Sequence, residues 1–184
     1  MKICAFDFDG TLIKNDSIKL FCRWVSNNQL EFLIVYHLYF RFILLFKDYN
    51  LKFTRVAFFH KLYKKRKLDI QEFTKILLKD QFEDSENIIN EMKKEYKVII
   101  VSASFDFILS DYSDYYGINL FANSLNNKQD LNFSNKVYTI KSNFKKEDIL
   151  EVAYGNSEGD FDMLESSKQA YFRYKNGKIL KWQK

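Results

Sequence analysis

The 184-residue chain has no proline, only five glycines and only two cysteines. Without proline, and with so little glycine, it is neither collagen-like nor a flexible low-complexity chain. Cys4 and Cys22 are too few for a disulfide scaffold and sit in no metal-type spacing. Both read as small buried apolar residues, as expected of a protein in a reducing compartment. No signal-peptide or Arg-rich transit pattern precedes the first strand-like run, so a cytoplasmic location is expected. What the chain has is apolar surface: 47% of residues are hydrophobic and 18% aromatic. That excludes disorder, and the length suits one domain, or one domain carrying an insertion.

Charge is unevenly spread. Residues 47–79 hold ten basic residues against three acidic ones, a net of +7, so the rest of the chain carries −2 of the total +5. A basic segment on a nearly neutral body suits either an anionic partner or simply a solvated helix face. Nucleic acid is not expected as a partner, because aromatic and basic residues interleaved over residues 53–67 follow equally from an amphipathic helix.

Three apolar runs, at residues 2–8, 97–101 and 149–154, are too short for helices. Runs without a polar face suit parallel strands covered on both sides by helices. A helix is expected over 105–116, ended by Gly117, and another from about Lys136. Residues 17–96 differ: the pattern predicts consecutive helices over 17–26, 30–46, 51–65, 69–78 and 84–95, with Asp16 or Ser17, Asp69, and Asp84 or Ser85 as N-caps. The expected fold is therefore α/β: a doubly wound parallel-sheet core, residues 1–15 plus 97–184, with an all-helical cap over 16–96. Asn176-Gly177 predicts a hairpin between two late strands.

Residues 32–46 contain thirteen apolar residues in fifteen. Fifteen residues of helix reach about 22 Å, short of a hydrocarbon core of about 30 Å. The preferred reading is a buried helix with one polar stripe at His37, Arg41 and Asp48. The alternative is a helix that dips into a membrane surface.

Chemistry concentrates at the ends of the three strand runs. Ligands of a parallel sheet bind beyond the carboxyl ends of its strands. Asp7 and Asp9 close the first run, and two carboxylates so near each other call for a cation or a shared proton. Asn156, Glu158 and Asp160 place oxygen ligands after the third run, as a hard divalent ion such as Mg²⁺ requires. Gly10, Gly155 and Gly159, three of the five glycines, fall in these two loops. Ser102, with helix N-terminal N–H groups beside it, offers an anion site after the second run. Metal ligands beside a phosphate cradle suggest phosphoryl transfer.

These residues stand in a known order. Phe6-Asp7-Phe8-Asp9-Gly10-Thr11-Leu12, then Ile100-Val101-Ser102-Ala103-Ser104, then the run from Tyr154-Gly155-Asn156 through Gly159-Asp160 to Leu164 resemble three motifs of the haloacid dehalogenase superfamily. Within it the chain is similar to the phosphoserine-phosphatase-like subfamily IB, which carries a helical cap after the first motif. The resemblance implies a Mg²⁺-dependent phosphomonoester hydrolase. It makes Asp7 the nucleophile and Asp9 the general acid and base. Gly10, Thr11, Ser102, Ala103 and a lysine would bind phosphate, and Asp7, Asp9, Asn156 and Asp160 would bind metal. The lysine is expected nineteen residues before Gly155, at Lys136, with Lys145 as the runner-up. Asn156 departs from the commoner Asp, which brings one charge less to the ion. Some likeness to phosphatidylglycerophosphatase C-type members, in the apolar helix with its basic continuation, extends the expected substrates from small phosphates to lipid phosphates and the expected location to peripheral contact at the inner membrane face. The competing reading is a weak or inactive relative binding an anionic partner or membrane through its basic cap. The core motifs meet only the phosphoryl group and the metal, so the cap is expected to select the substrate. The sequence carries no signal for oligomeric state.

Overall fold

The computed structural model describes residues 1–45, 49–125 and 131–183, with side chains described outside 38–45 and 49–55. Six strands form one sheet among the described residues: β1 (Lys2–Phe6), β2 (Lys97–Phe105), β3 (Asn119–Asn123), β4 (Ile149–Gly155), β5 (Gln169–Arg173) and β6 (Ile179–Lys181). Their order is β3-β2-β1-β4-β5-β6, with β1 to β5 parallel and β6 antiparallel to β5. The chain starts in the middle and winds outward both ways, so the strand order reverses between β1 and β4. An open α/β sheet leaves its crevice at that point.

The apolar runs are explained by burial on both faces. In β1, Cys4 and Phe6 point into one core while Ile3 and Ala5 point into the other, and all four are 1% exposed or less. On the first face the rings of Phe6, Tyr154 and Tyr171 stack across β1, β4 and β5, with centroids 4.6 and 4.9 Å apart. The second face is covered by Ile140 of α7 (Ser134–Asn143) and by Met163 and Leu164 of α8 (Phe161–Ser166).

Between β1 and β2 run α1 (Ser17–Trp24), α2 (Gln29–Leu45), α3 (Tyr49–Arg66), α4 (Ile70–Asp80) and α5 (Ser85–Lys93). Asp16 caps α1 by accepting from the Lys19 N–H, and Asp69 caps α4 by accepting from that of Gln71. Asp84 stands at the α5 cap without a side-chain capping bond. The insertion leaves and returns through a narrow neck: the Lys14 N–H donates to the Asp80 carbonyl at 2.9 Å, and the Phe82 N–H to that of Leu12 at 3.2 Å. The chain is back beside the sheet at Phe82, and α5 then packs on β2.

Two local expectations differ from what is found. β2 continues past the expected run to Phe105, so Ser102 lies within the strand and not at a helix N-terminus, while α6 (Asp106–Tyr116) begins within one residue of its expected start. Pairing wins over the local pattern: Ser102 pairs with Ala122 and, after a register shift, Phe105 pairs with Asn123. Helix α2 is not buried all round over its described side chains. Phe32 and Val35 are buried, but Leu30, Leu33 and Ile34 are 69%, 52% and 53% exposed, and His37 is exposed beside them. The helix packs on α1 and α3, which cover one face of it. Arg41 has no described side chain, and Asp48 lies outside the described residues. No helix among the described residues is long and apolar enough to cross a membrane.

Candidate active site

Asp7 stands one residue beyond β1, and its N–H donates to the Tyr154 carbonyl of β4 at 2.9 Å. The last pairs in the ladders are Phe6 with Ile100 and Phe6 with Tyr154. Asp7 is therefore level with the start of the Ser102 segment on one side and with Gly155 on the other. The loop after it is tight: the N–H groups of Thr11, Leu12 and Ile13 all donate to the Phe8 carbonyl. Gly10 has φ +72°, and a Cβ there would stand 2.1 Å from Asn156 Nδ2. Only glycine fits both the backbone and the space.

At the centre lies a buried ionic unit. Lys136, in the first turn of α7, is 2% exposed, and its Nζ donates to Asp7 Oδ1 and to Asp160 Oδ1 at 2.6 Å each. The other Asp7 oxygen, Oδ2, accepts from Thr11 Oγ1 at 3.0 Å, and that hydroxyl lies 3.3 Å from Asn156 Oδ1. Burial, then the charge of Asp160, pushes Asp7 up to about 6 against the pull of Lys136 and Thr11. Burial alone would lower Lys136, but the two carboxylates outweigh it and hold the ammonium above its ordinary range. Lys145, the runner-up, is an exposed residue beyond α7.

Asp160 was expected among the metal ligands, and the structure gives its oxygens other partners. Oδ1 is taken by Lys136. Oδ2 accepts from the N–H groups of Asn156 and Ser157 and from Ser157 Oγ, at 2.9–3.1 Å. This carboxylate folds the loop after β4 and braces the lysine. Gly155 makes room for it, since a Cβ there would lie 2.6 Å from that of Asp160. Asn156 Oδ1 is linked to Asp7 through the Thr11 hydroxyl, and Glu158 is exposed to solvent.

Asp9 turns toward the insertion. Its Oδ1 accepts from the Ser17 N–H at 2.8 Å and its Oδ2 from Ser17 Oγ at 3.1 Å. Ser17 Oγ in turn meets Ser104 Oγ at 2.6 Å. Burial, then the charges of Asp16 and Asp7, pushes the Asp9 carboxyl well above the usual range. Ser102 is 1% exposed, and its Oγ accepts from the Ser104 N–H at 3.1 Å. The Ala103 carbonyl is held by Asn123 Nδ2 at 2.6 Å. Because α6 begins at Asp106, the cradle beside Ser102 is strand-end backbone and not a helix terminus. Ser17 and Ser104 were not singled out as site residues. Ser17 reads as a helix start and Ser104 as a flanking residue; their contact spans 87 positions of sequence, and no local pattern carries it.

Beside Asp9, Gly10 and Asn156 opens a cleft of about 980 Å³ that runs out to the β5–β6 hairpin. On the other flank Phe21, Phe59, Phe105 and Phe107 pack ring to ring between insertion and sheet.

The sequence model for haloacid dehalogenase-like hydrolases matches residues 4–165. The chain belongs to this family. Its fold is shared with a protein of unknown function from Bordetella pertussis Tohama I, with a TM-score of 0.72 at 14% identity over 92% of this chain and 88% of that one. A phosphoserine phosphohydrolase-like protein from Francisella tularensis subsp. tularensis SCHU S4 gives a TM-score of 0.57 at 22% identity over 92% and 86%. Phosphoserine phosphatase in its apo form gives 0.56 at 19% over 93% and 85%. At these identities the likeness is one of fold. No curated protein matches the chain.

The ionic unit sets a test of its own. Replacing Lys136 by Met leaves two adjacent carboxylates buried without their cation, which costs about 3–5 kcal/mol. In chemical denaturation Lys136→Met should be destabilised by that order, and adding Asp160→Asn should restore part of the loss. Additive effects in this double-mutant cycle would show that Lys136 and Asp160 are not coupled.

Proposed function

We propose that the protein is a phosphomonoester hydrolase that works through an aspartyl-phosphate on Asp7. The observation that carries this reading is the buried cation at the strand end: Lys136 lies 2.6 Å from the Asp7 carboxylate, where transferring phosphoryl oxygens would gather. An oxygen of Asp7 attacks phosphorus, and the bond to the leaving oxygen breaks. Asp9, with its carboxyl held above the usual range, gives its proton to that oxygen. Water then attacks the phosphoaspartate, Asp9 takes its proton, and inorganic phosphate and the Asp7 carboxylate are restored. Lys136 and the Ser102 hydroxyl hold the phosphoryl oxygens. Ser17, between Asp9 and Ser104, accepts from the protonated carboxyl or donates to the ionised one.

The donor set fits a hard divalent ion. The Asp7 carboxylate, the Asp9 carbonyl and Asn156 Oδ1 are all oxygens, and Asp7 and Asn156 share Thr11 as a neighbour. Among the described residues no group of three or more His, Cys, Asp or Glu is placed to hold a metal ion, so the proposed set rests on one carboxylate with carbonyl and amide oxygens. Mg²⁺ held there would offset phosphoryl charge, and water would complete its shell.

Asp7→Asn should lose at least about a thousandfold in phosphate release while keeping its circular dichroism and cooperative unfolding. A folded Asp7→Asn protein with substantial turnover would reject the mechanism. Asn156→Asp adds a carboxylate without lengthening the side chain, so half-activation should need several-fold less Mg²⁺. An unchanged Mg²⁺ requirement would place Asn156 away from the ion.

A second reading concerns where the enzyme works. Leu30, Leu33 and Ile34 share an exposed face of α2, in an insertion rich in Lys and Arg. That combination suits peripheral contact with an anionic bilayer and access to amphiphilic phosphates. The chain should then sediment with phosphatidylglycerol vesicles at low salt, and Leu33→Glu should abolish this. Failure to sediment at low salt would leave a purely small-molecule enzyme.

A further inference from the structure

The ladder between β2 and β3 breaks step where the candidate site begins. Ser102 pairs with Ala122, and the next pair is Phe105 with Asn123. Over this interval β2 advances three residues and β3 one, so Ala103 and Ser104 are extra backbone. Extra residues in a strand beside a site re-aim its side chains. Their polar groups have left the ladder and need other partners.

Asn123, half-buried at the end of β3, supplies one. Its Nδ2 donates to the Ala103 carbonyl at 2.6 Å. The peptide that joins Ala103 to Ser104 is trans, so its N–H points away from that carbonyl. The same N–H donates to Ser102 Oγ at 3.1 Å. One bond from Asn123 thus fixes a whole peptide plane, and the far side of that plane holds the Ser102 oxygen. A hydroxyl that accepts from an N–H keeps its own proton to donate, and a phosphoryl oxygen is an acceptor. Ser102 is 1% exposed, so neighbours and not bulk water set its direction. The Asn123 amide is itself fixed. Its Oδ1 accepts from the Leu131 N–H at 2.9 Å. Turning the amide over would set donor against donor and acceptor against acceptor. Leu131 is buried and stands five residues before Lys136, so the anchor lies on the segment that delivers the lysine.

We propose that Asn123 is a positioning residue of the reaction: through the Ala103–Ser104 peptide it sets the Ser102 hydroxyl toward the transferring phosphoryl group. The inference rests on the phosphatase reading above. It adds a residue outside the three matched motifs, one that acts through Ser102 and not by its own contact with substrate.

Asn123→Asp keeps an acceptor for the Leu131 N–H and puts a carboxylate oxygen where the donor faced Ala103. With p-nitrophenyl phosphate and Mg²⁺, kcat/KM should fall by about ten- to a hundredfold, the scale of a group misplaced by about 1 Å. The loss should divide between kcat and KM as it does in Ser102→Ala. In the Ser102→Ala background, Asn123→Asp should cost less than about twofold, because the hydroxyl it acts through is gone. If Asn123→Asp does not unfold cooperatively, Asn123→Ala, which brings no charge, should show the same dependence on Ser102. Unchanged kcat/KM, a different division between kcat and KM, or losses that add to those of Ser102→Ala would each overturn the proposal. Calorimetric titration with inorganic phosphate in the presence of Mg²⁺ reads the same cycle without turnover. If the unaltered chain hydrolyses no phosphomonoester, but Asn123→Asp weakens phosphate binding only while Ser102 is present, the positioning stands and the phosphatase reading falls. Phosphate binding indifferent to Asn123→Asp would overturn the positioning itself.

Discussion

One buried ammonium organises this protein. Lys136 has two carboxylates at 2.6 Å and almost no exposure. Desolvating three charges together is costly unless each has further partners. They have them: Thr11 on Asp7, and the backbone of Asn156 and Ser157 on Asp160. These contacts join three segments that sequence keeps far apart, the end of β1, the start of α7 and the loop after β4. Delivering the lysine has a local cost. Phe133, just before α7, has φ +51° and is exposed. Its N–H donates to the Gly159 carbonyl, tying the helix start to the loop that Asp160 folds. A bulky residue at positive φ costs about 1–3 kcal/mol, so the surrounding contacts must hold it there.

The parts of this arrangement legible in the sequence are those with a local cause. The apolar runs of β1, β2 and β4 read as strands because both sheet faces are buried, and Asp7 then falls at a strand end with no further assumption. Gly10 and Gly155 stand out in a chain with five glycines because a Cβ at either position would strike Asn156 or Asp160. Spacing favours Lys136 over Lys145; Lys136 is buried and Lys145 is exposed. Other features depend on contacts that no window contains. The extension of β2 through Phe105 is set by Asn123 on a neighbouring strand. The partners of Asp160 are a lysine twenty-four residues away and the N–H groups of its own turn, contacts that its reading as a ligand does not contain. The exposed side of α2 is equally illegible, since a helix apolar all round does not declare which side lacks a neighbour.

The insertion does two separate things. Its aromatic underside is part of the core: Phe21, Phe59 and Phe73 are fully buried, and the Phe59 ring meets that of Phe105 in β2. Its first residues reach into the chemistry: Ser17, at the start of α1, supplies both hydrogen bonds to Asp9 and meets Ser104 of β2. These bonds tie the Asp9 carboxylate to the first turn of the insertion and, through the Ser17 hydroxyl, to β2.

Asn156 fits the same electrostatic logic. With Asn there, the buried unit without metal holds Asp7 and Asp160 against Lys136, one negative charge in excess. An aspartate at 156 would double that excess in a site where burial and Asp160 already push Asp7 up to about 6. The metal-free protein would then carry two uncompensated charges until an ion arrived. The amide lowers that repulsion and keeps an oxygen beside Thr11, 3.3 Å from its hydroxyl. For an ion bound as proposed, what the amide would give up is attraction for that cation. The two effects have one origin, the charge at position 156, so a substitution that strengthens metal binding must also raise the repulsion the empty site endures. On this reasoning Asn156 lowers the repulsion within the metal-free unit, in which Lys136 is the cation that faces both carboxylates.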